Sequence, residues 1–170
     1  PGALFESHDR GGTWKLNSGL WKHPHRKQWN PGFGGLCLHT IVTDAKNPND
    51  LKVAISTGGV YQSSDGGGTW KSTNSGVSAY FNPDPYPEFG QCVHKIVRHP
   101  RKKNTFFLQN HHGVYRSRDG AVTWQEIESG VPSNFGFGMT VCDSGSVFIV
   151  PLEADAKRFT CEGKLRVYRS

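Results

Sequence analysis

The apolar residues of this chain alternate with polar ones over short runs and nowhere recur at the 3.6-residue spacing of an amphipathic helix. Runs rich in Val, Ile, Tyr and Phe, bounded by Gly, Pro, Asn and Asp, read as short strands. Three series of them follow one another: 36–43, 51–56 and 60–63; then 91–98, 105–109 and 114–117; then 138–142, 146–150 and 165–170. Two longer connections, 18–35 and 74–90, interrupt the pattern and read as loops. So does 151–164.

After the third strand of a series comes a repeated stretch. It reads Ser7-His8-Asp9-Arg10-Gly11-Gly12-Thr13-Trp14, then Ser63-Ser64-Asp65-Gly66-Gly67-Gly68-Thr69-Trp70, then Ser117-Arg118-Asp119-Gly120-Ala121-Val122-Thr123-Trp124. The aspartates are 56 and 54 residues apart. A period of that order, with strands in each unit, points to a propeller or a related array. Asp accepts hydrogen bonds from backbone N–H groups a few residues on and so fixes a turn. Gly supplies the positive φ of the tight return. Trp is a large apolar body that seals one side of a blade. At Ala121 a glycine is missing, so the third turn is expected to close differently.

The motif Ser-x-Asp-x-Gly-x-Thr-Trp resembles the Asp-box, or BNR repeat. The unit as a whole is similar to sialidase-like, sortilin-like and bacterial glycosyl hydrolase-like BNR proteins. The resemblance spans nearly the full chain through Cys-x-His-x-Ile-Val, Gly-Val-Tyr-x-Ser-x-Asp-Gly and Thr-Trp. It implies an all-β propeller of four-stranded antiparallel blades, about three of them here: 3–18 as the end of one, 36–73 and 91–127 complete, 138–170 incomplete. It also implies that Ser7, Asp9, Gly11, Trp14, Ser63, Asp65, Gly67, Trp70, Ser117, Asp119 and Trp124 are structural. We expect further blades, or a second copy of the chain beside 165–170, to complete the ring.

In propellers of this plan, the inter-blade loops and the turns between second and third strands share a face. That face carries Trp21, His25, Arg26, Trp29, Tyr80, Phe81, His111 and His112, and it is expected to bind a protein or a glycan without catalysis. Loops on a rigid scaffold are the usual carriers of function. The enzymatic alternative is a sialidase-like glycoside hydrolase using Asp84, Tyr86 and Glu88, since sialidases pair a Tyr nucleophile with a Glu. No sialidase-type Phe/Tyr-Arg-Ile-Pro motif is present, which argues against it. A third alternative is a purely structural or assembly module. His39 and His94 occupy equivalent places on the innermost strands and are candidates for the central channel, with a buried structural hydrogen bond the favoured role for each.

Composition adds little. Twenty-one glycines and ten prolines among 170 residues suit many turns. The net charge of +6 is scattered, which disfavours nucleic acid as a partner. No apolar run reaches membrane-spanning length, and the compartment is not indicated. Cys37, Cys92, Cys142 and Cys161 lack metal-site spacing. Cys37 and Cys92 fall in neighbouring blades, about 10 Å apart, beyond disulfide reach, and read as small buried hydrophobes. No cofactor or metal is expected.

Overall fold

The structure is a computed structural model that describes residues 2–32 and 34–170; Pro1 and Phe33, the latter within the 18–35 connection, lie outside it. It is all-β and built of antiparallel sheets, as the repeat predicts. Strands β1 (Phe5–Glu6) and β2 (Lys15–Leu16) form a two-stranded sheet. Strands β3 (Leu38–Asp44), β4 (Asn47–Ile55), β5 (Gly59–Ser63) and β6 (Lys71–Ser72) form a four-stranded meander in chain order. Strands β7 (Val93–Arg98), β8 (Phe106–Asn110), β9 (Gly113–Ser117) and β10 (Gln125–Glu126) form a second. The last sheet holds β11 (Phe135–Val141), β12 (Val147–Ala154), β13 (Lys157–Thr160) and β14 (Tyr168–Arg169). Strands β3, β7 and β11 are the innermost of their sheets and pack in succession, β3 against β7 and β7 against β11. Among the described residues no helix is long and apolar enough to cross a membrane.

Period-two alternation fills two seams from each sheet. On β4 and β5, Val53, Ile55 and Tyr61 join Leu4, Leu20, Trp29 and Trp70 on one side. Ala54 and Val60 face the other side and meet Ile96, Phe106, Leu108, Tyr115 and Trp124. The next seam holds Phe107, Val114, Met139, Val147 and Ile149. Burying such side chains contributes about 1.5–3 kcal/mol each, which is what binds sheet to sheet.

All three Ser-x-Asp turns close through the same four bonds. In the second, Ser63 Oγ donates to Asp65 Oδ1 at 2.7 Å and accepts from Gly67 N at 2.8 Å. Thr69 N donates to Asp65 Oδ1 at 2.9 Å and Thr69 Oγ1 to Asp65 Oδ2 at 2.7 Å. Ser7, Asp9, Gly11 and Thr13 repeat this set. Ser117, Asp119, Ala121 and Thr123 do so as well. The expected distortion at Ala121 is absent: it adopts φ +71°, the left-handed conformation that Gly67 takes at +97°. Its buried methyl packs with Trp124 and Tyr115, which offsets the backbone cost of about 1–2 kcal/mol.

Three further expectations are corrected. Connection 18–35 is not all loop: Ser18–Trp21 forms a short α-helix, α1, and Pro24–Gln28 a 3-10 helix. Asn17 Oδ1 caps α1 by accepting from Leu20 N at 2.9 Å, as N-cap Asn does. Single-turn helices are too short to show a hydrophobic period. Strand β4 starts at Asn47, because Asp44 and Asn47 pair across a tight turn. In the last sheet β11 starts at Phe135, and β12 runs through Pro151 to Ala154 before returning as β13. Segment 151–164 is therefore largely a hairpin. The C-terminal part of β12, at Leu152 and Ala154, pairs with β13 and the N-terminal part, at Phe148 and Ile149, with β14.

Candidate functional site

The three innermost strands share an irregularity. Pairing shifts register between Leu38 and Thr40 in β3, between Val93 and Lys95 in β7, and between Gly136 and Gly138 in β11. The residue at each shift is His39, His94 or Phe137. A β-bulge bends its strand and re-aims a side chain, and here three bulges at matching stations aim three rings at one cavity. His39 and His94 have ring centroids 5.8 Å apart, and Phe137 stacks on His94 at 4.3 Å. The cavity has a volume of about 320 Å³ and is lined by Cys37, His39, Cys92, His94, His111, Phe137, Asp155 and Arg158 among others.

The wall on the β7 side concentrates donor atoms. Cys92 Sγ lies 3.4 Å from His94 Nε2 and 3.5 Å from Ser56 Oγ. The His94 Nδ1–H donates to Gly136 O at 2.7 Å, which leaves Nε2 as the lone-pair nitrogen. His111 stands in the β8–β9 turn, 5.5 Å from His94 between ring centroids. One donor atom each from Cys92, His94 and His111 falls within 4.8 Å of the others. His111 Nε2 faces Asp155 Oδ2 at 3.4 Å, and its Nδ1 is buried without a hydrogen-bond partner. Asp155 in turn pairs with Arg158 across the β12–β13 hairpin. Burial holds His94 down to about 4, with the His111 and His39 rings adding to it. Burial also lowers His111, against the pull of Asp155, and raises the Cys92 thiol. The unliganded cluster is thus neutral near pH 7.

His39 and His94 therefore meet at the cavity. His94 also makes the buried structural bond expected of it, whereas His39 is exposed. Cys37 is only half-buried and lines the same cavity, which corrects its reading as core filler. Arg158 is not singled out by sequence, and Cys92 is read there only as a small buried hydrophobe. The one signal for Cys92 was the repeated Cys-x-His of Cys37-Leu38-His39 and Cys92-Val93-His94.

The loop face divides. Tyr80 is 58% exposed, Tyr86 54% and Phe81 48%. The Tyr80 and Tyr86 rings lie 6.4 Å apart, and His112 contacts both Tyr80 and Phe81 at 5.5 Å. Trp29, expected on the surface, is instead 4% exposed, because its Nε1–H donates to the buried Tyr61 hydroxyl at 3.0 Å. His25 is half-buried, 3.1 Å from the same hydroxyl through Nδ1 and stacked on Phe89. Trp21 is exposed, with the Arg26 guanidinium 3.8 Å over its ring. Asp84 Oδ1 accepts from Tyr86 N at 2.9 Å, and Glu88 Oε1 accepts from Ser72 Oγ at 3.0 Å.

The structural residues differ by place. Trp70 and Trp124 are buried in seams, where Nε1–H of Trp70 donates to Asn17 Oδ1 and to Gly67 O, and that of Trp124 to Thr73 O. Trp14 is 63% exposed.

No protein-family model matches the chain. A xyloglucanase from Paenibacillus sp is 28% identical over 170 aligned positions, which cover 87% of this chain; the chain spans 15% of that relative's length. The GH74 enzyme of Niastella koreensis superposes over 98% of this chain and 24% of its own, with TM-score 0.62 at 18% identity. The GH74 xyloglucanase from Xanthomonas campestris does so over 98% and 25%, with TM-score 0.64 at 14% identity. YCF48 bound to D1 peptide matches over 87% of this chain and 41% of its own, with TM-score 0.51 at 16% identity. At such identities the likeness concerns the fold, and the fold of this chain is that of part of a β-propeller.

Proposed function

We propose that the chain is a segment of an Asp-box propeller that binds carbohydrate, without hydrolysing it, on the platform of Tyr80, Phe81 and Tyr86. The observation that carries this reading is the contiguity of three aromatic side chains, each about half exposed, in one Pro-rich loop on a rigid scaffold. Aromatic rings present flat apolar faces with a polar handle, suited to the C–H faces of a sugar. The kinship with a xyloglucanase supports a polysaccharide ligand. The carboxylates nearby are engaged in the local structure: Asp84 with Tyr86 N and Glu88 with Ser72. In this reading residues 3–18 close one blade, 36–73 and 91–127 are complete blades, and 138–170 form most of another. The exposed faces of Phe5 and Trp14 are then covered by remaining blades or by a second copy of the chain.

Titration calorimetry with xyloglucan oligosaccharides tests it. Saturable binding is expected, with Tyr80→Ala plus Tyr86→Ala weakening it at least about tenfold, on the scale of losing two stacking contacts. Failure of every oligosaccharide to bind the folded chain overturns it. The kinship with hydrolases favours one other reading, a glycoside hydrolase segment. Release of reducing ends from the same oligosaccharides, lost in Asp84→Asn or Glu88→Gln, would decide for that reading. Binding of a peptide in place of a sugar would instead favour a protein partner.

A further inference from the structure

The cluster at the axial cavity borders the aromatic platform at Phe81, whose ring lies 5.8 Å from that of His111, but the inference drawn from it does not depend on carbohydrate binding. We propose that Cys92, His94 and His111 bind a borderline-soft divalent transition metal, zinc being the best fit, with a fourth position open to the cavity.

Three independent features of the site point this way. The first is the donor set. One thiolate and two imidazoles suit zinc, and three protein ligands with a vacant fourth position are a recurring zinc arrangement. The second is spacing. Tetrahedral zinc with Zn–S near 2.3 Å and Zn–N near 2.0–2.1 Å sets sulfur and nitrogen about 3.6 Å apart. Cys92 Sγ and His94 Nε2 already stand at 3.4 Å. The third donor needs to close by about 1 Å from the 4.8 Å limit of the cluster. His111 sits in a turn, where such a shift is inexpensive.

The third feature is the surroundings. A metal-bound histidine commonly donates its other ring N–H to a carbonyl or carboxylate, which fixes the tautomer and turns the lone pair to the metal. His94 does this with Gly136 O at 2.7 Å. For His111, Asp155 at 3.4 Å from Nε2 is the matching acceptor, and the buried Nδ1 is left without a partner. The β7 bulge that turns His94 toward the cavity belongs to the same construction. On binding, the Cys92 thiol releases its proton to solvent as the thiolate forms its bond to the metal, so the atoms and charges balance.

The test uses the reduced, tag-free chain. Calorimetry with zinc chloride should show one equivalent bound, with a dissociation constant of about 10 µM or tighter. Cobalt(II) should give a visible spectrum of tetrahedral intensity with a thiolate-to-cobalt charge-transfer band. Cys92→Ser should abolish that band, and both Cys92→Ser and His111→Gln should weaken zinc at least tenfold. Asp155→Asn should cost about 10-fold to 100-fold through His111. Cys142→Ser, outside the cavity, should change neither reading. Circular dichroism and melting without metal establish that each variant is folded. No saturable zinc binding, or binding that survives both Cys92→Ser and His111→Gln, overturns the proposal. In Cys92→Ser zinc binding should be lost with sugar binding at Tyr80 and Tyr86 kept, so the two readings fail separately.

Discussion

The Nε1–H of Trp70 donates to Asn17 Oδ1 at 3.1 Å, across the seam between the first two sheets. Asn17 accepts from Leu20 N through the same oxygen and donates to Gly67 O at 3.0 Å. One buried amide therefore ties the end of one hairpin to the Asp65 turn of the next sheet. Removing it orphans the Leu20 N–H, at roughly 1–3 kcal/mol, and leaves Trp70 Nε1–H and Gly67 O with only each other. Asn17→Ala is expected to lower stability by about 2–3 kcal/mol. Trp70→Phe, which loses the N–H and part of a buried ring, should cost about 2–3 kcal/mol. Trp14→Phe, at an exposed ring, should stay within about 0.5 kcal/mol. Urea midpoints of the three variants rank them; equal effects at Trp14 and Trp70 would contradict the seam assignment.

Ser117→Ala tests the turn in its least glycine-like copy. Ser117 is buried; its hydroxyl donates to Asp119 and accepts from Ala121 N at 2.9 Å. Truncation leaves that N–H unpaired in the core, at a cost of about 1–3 kcal/mol. Chemical denaturation should show a lowered midpoint with an unchanged slope, since only the native state is affected.

Gly76→Ala tests close approach. Gly76 has φ +88°, and a Cβ there would stand 2.2 Å from the Trp124 carbonyl oxygen. Backbone cannot retreat, because Trp124 N is bound to Ser75 O at 2.9 Å. Strain and displacement together should cost about 2–4 kcal/mol, seen as a fall in melting temperature. Gly130→Ala is the control for φ alone: its φ is +90° with open space around the added carbon.

Acid should weaken the β3–β7 contact. Arg98 Nη2 donates to Asp44 Oδ2 at 3.0 Å and Lys46 N to Asp44 Oδ1 at 2.9 Å. The Arg98 bond first, then the Lys46 N–H, holds the Asp44 carboxyl down to about 2, from an ordinary 3.8. The folded state thus binds this proton less readily than the unfolded chain. The stabilisation is complete above the ordinary value and is lost as pH falls from about 4 to about 2. Melting temperatures across that window should fall more steeply for the wild type than for Asp44→Asn. Parallel curves would remove Asp44 from the account of acid sensitivity.

The sequence disclosed the scaffold better than the site. Asp9, Asp65 and Asp119 set the phase of the repeat, and with it the sheets built from β3 to β10. The last sheet was harder to read. Gly136, Gly138 and Pro151 are poor strand formers, yet pairing with neighbours carries β11 and β12 through them. The hairpin that delivers Asp155 was hidden for the same reason. Trp29 was misplaced because an indole in a polar loop reads as surface until its partner, the Tyr61 hydroxyl, is known. The equivalence of His39 and His94 was legible from Cys-x-His. That Cys92 joins them with His111 was not, because a bulge and a turn from different strands bring the donors together.

The matching bulges on β3, β7 and β11 separate architecture from chemistry. Each four-stranded sheet offers one socket to the axis, holding imidazole in two cases and a phenyl ring in the third, while the seams that secure the sheets lie elsewhere. Exchange at the two exposed sockets, His39 and Phe137, would change the lining of the hollow at little expense to folding, whereas His94 is held by its bond to Gly136 O.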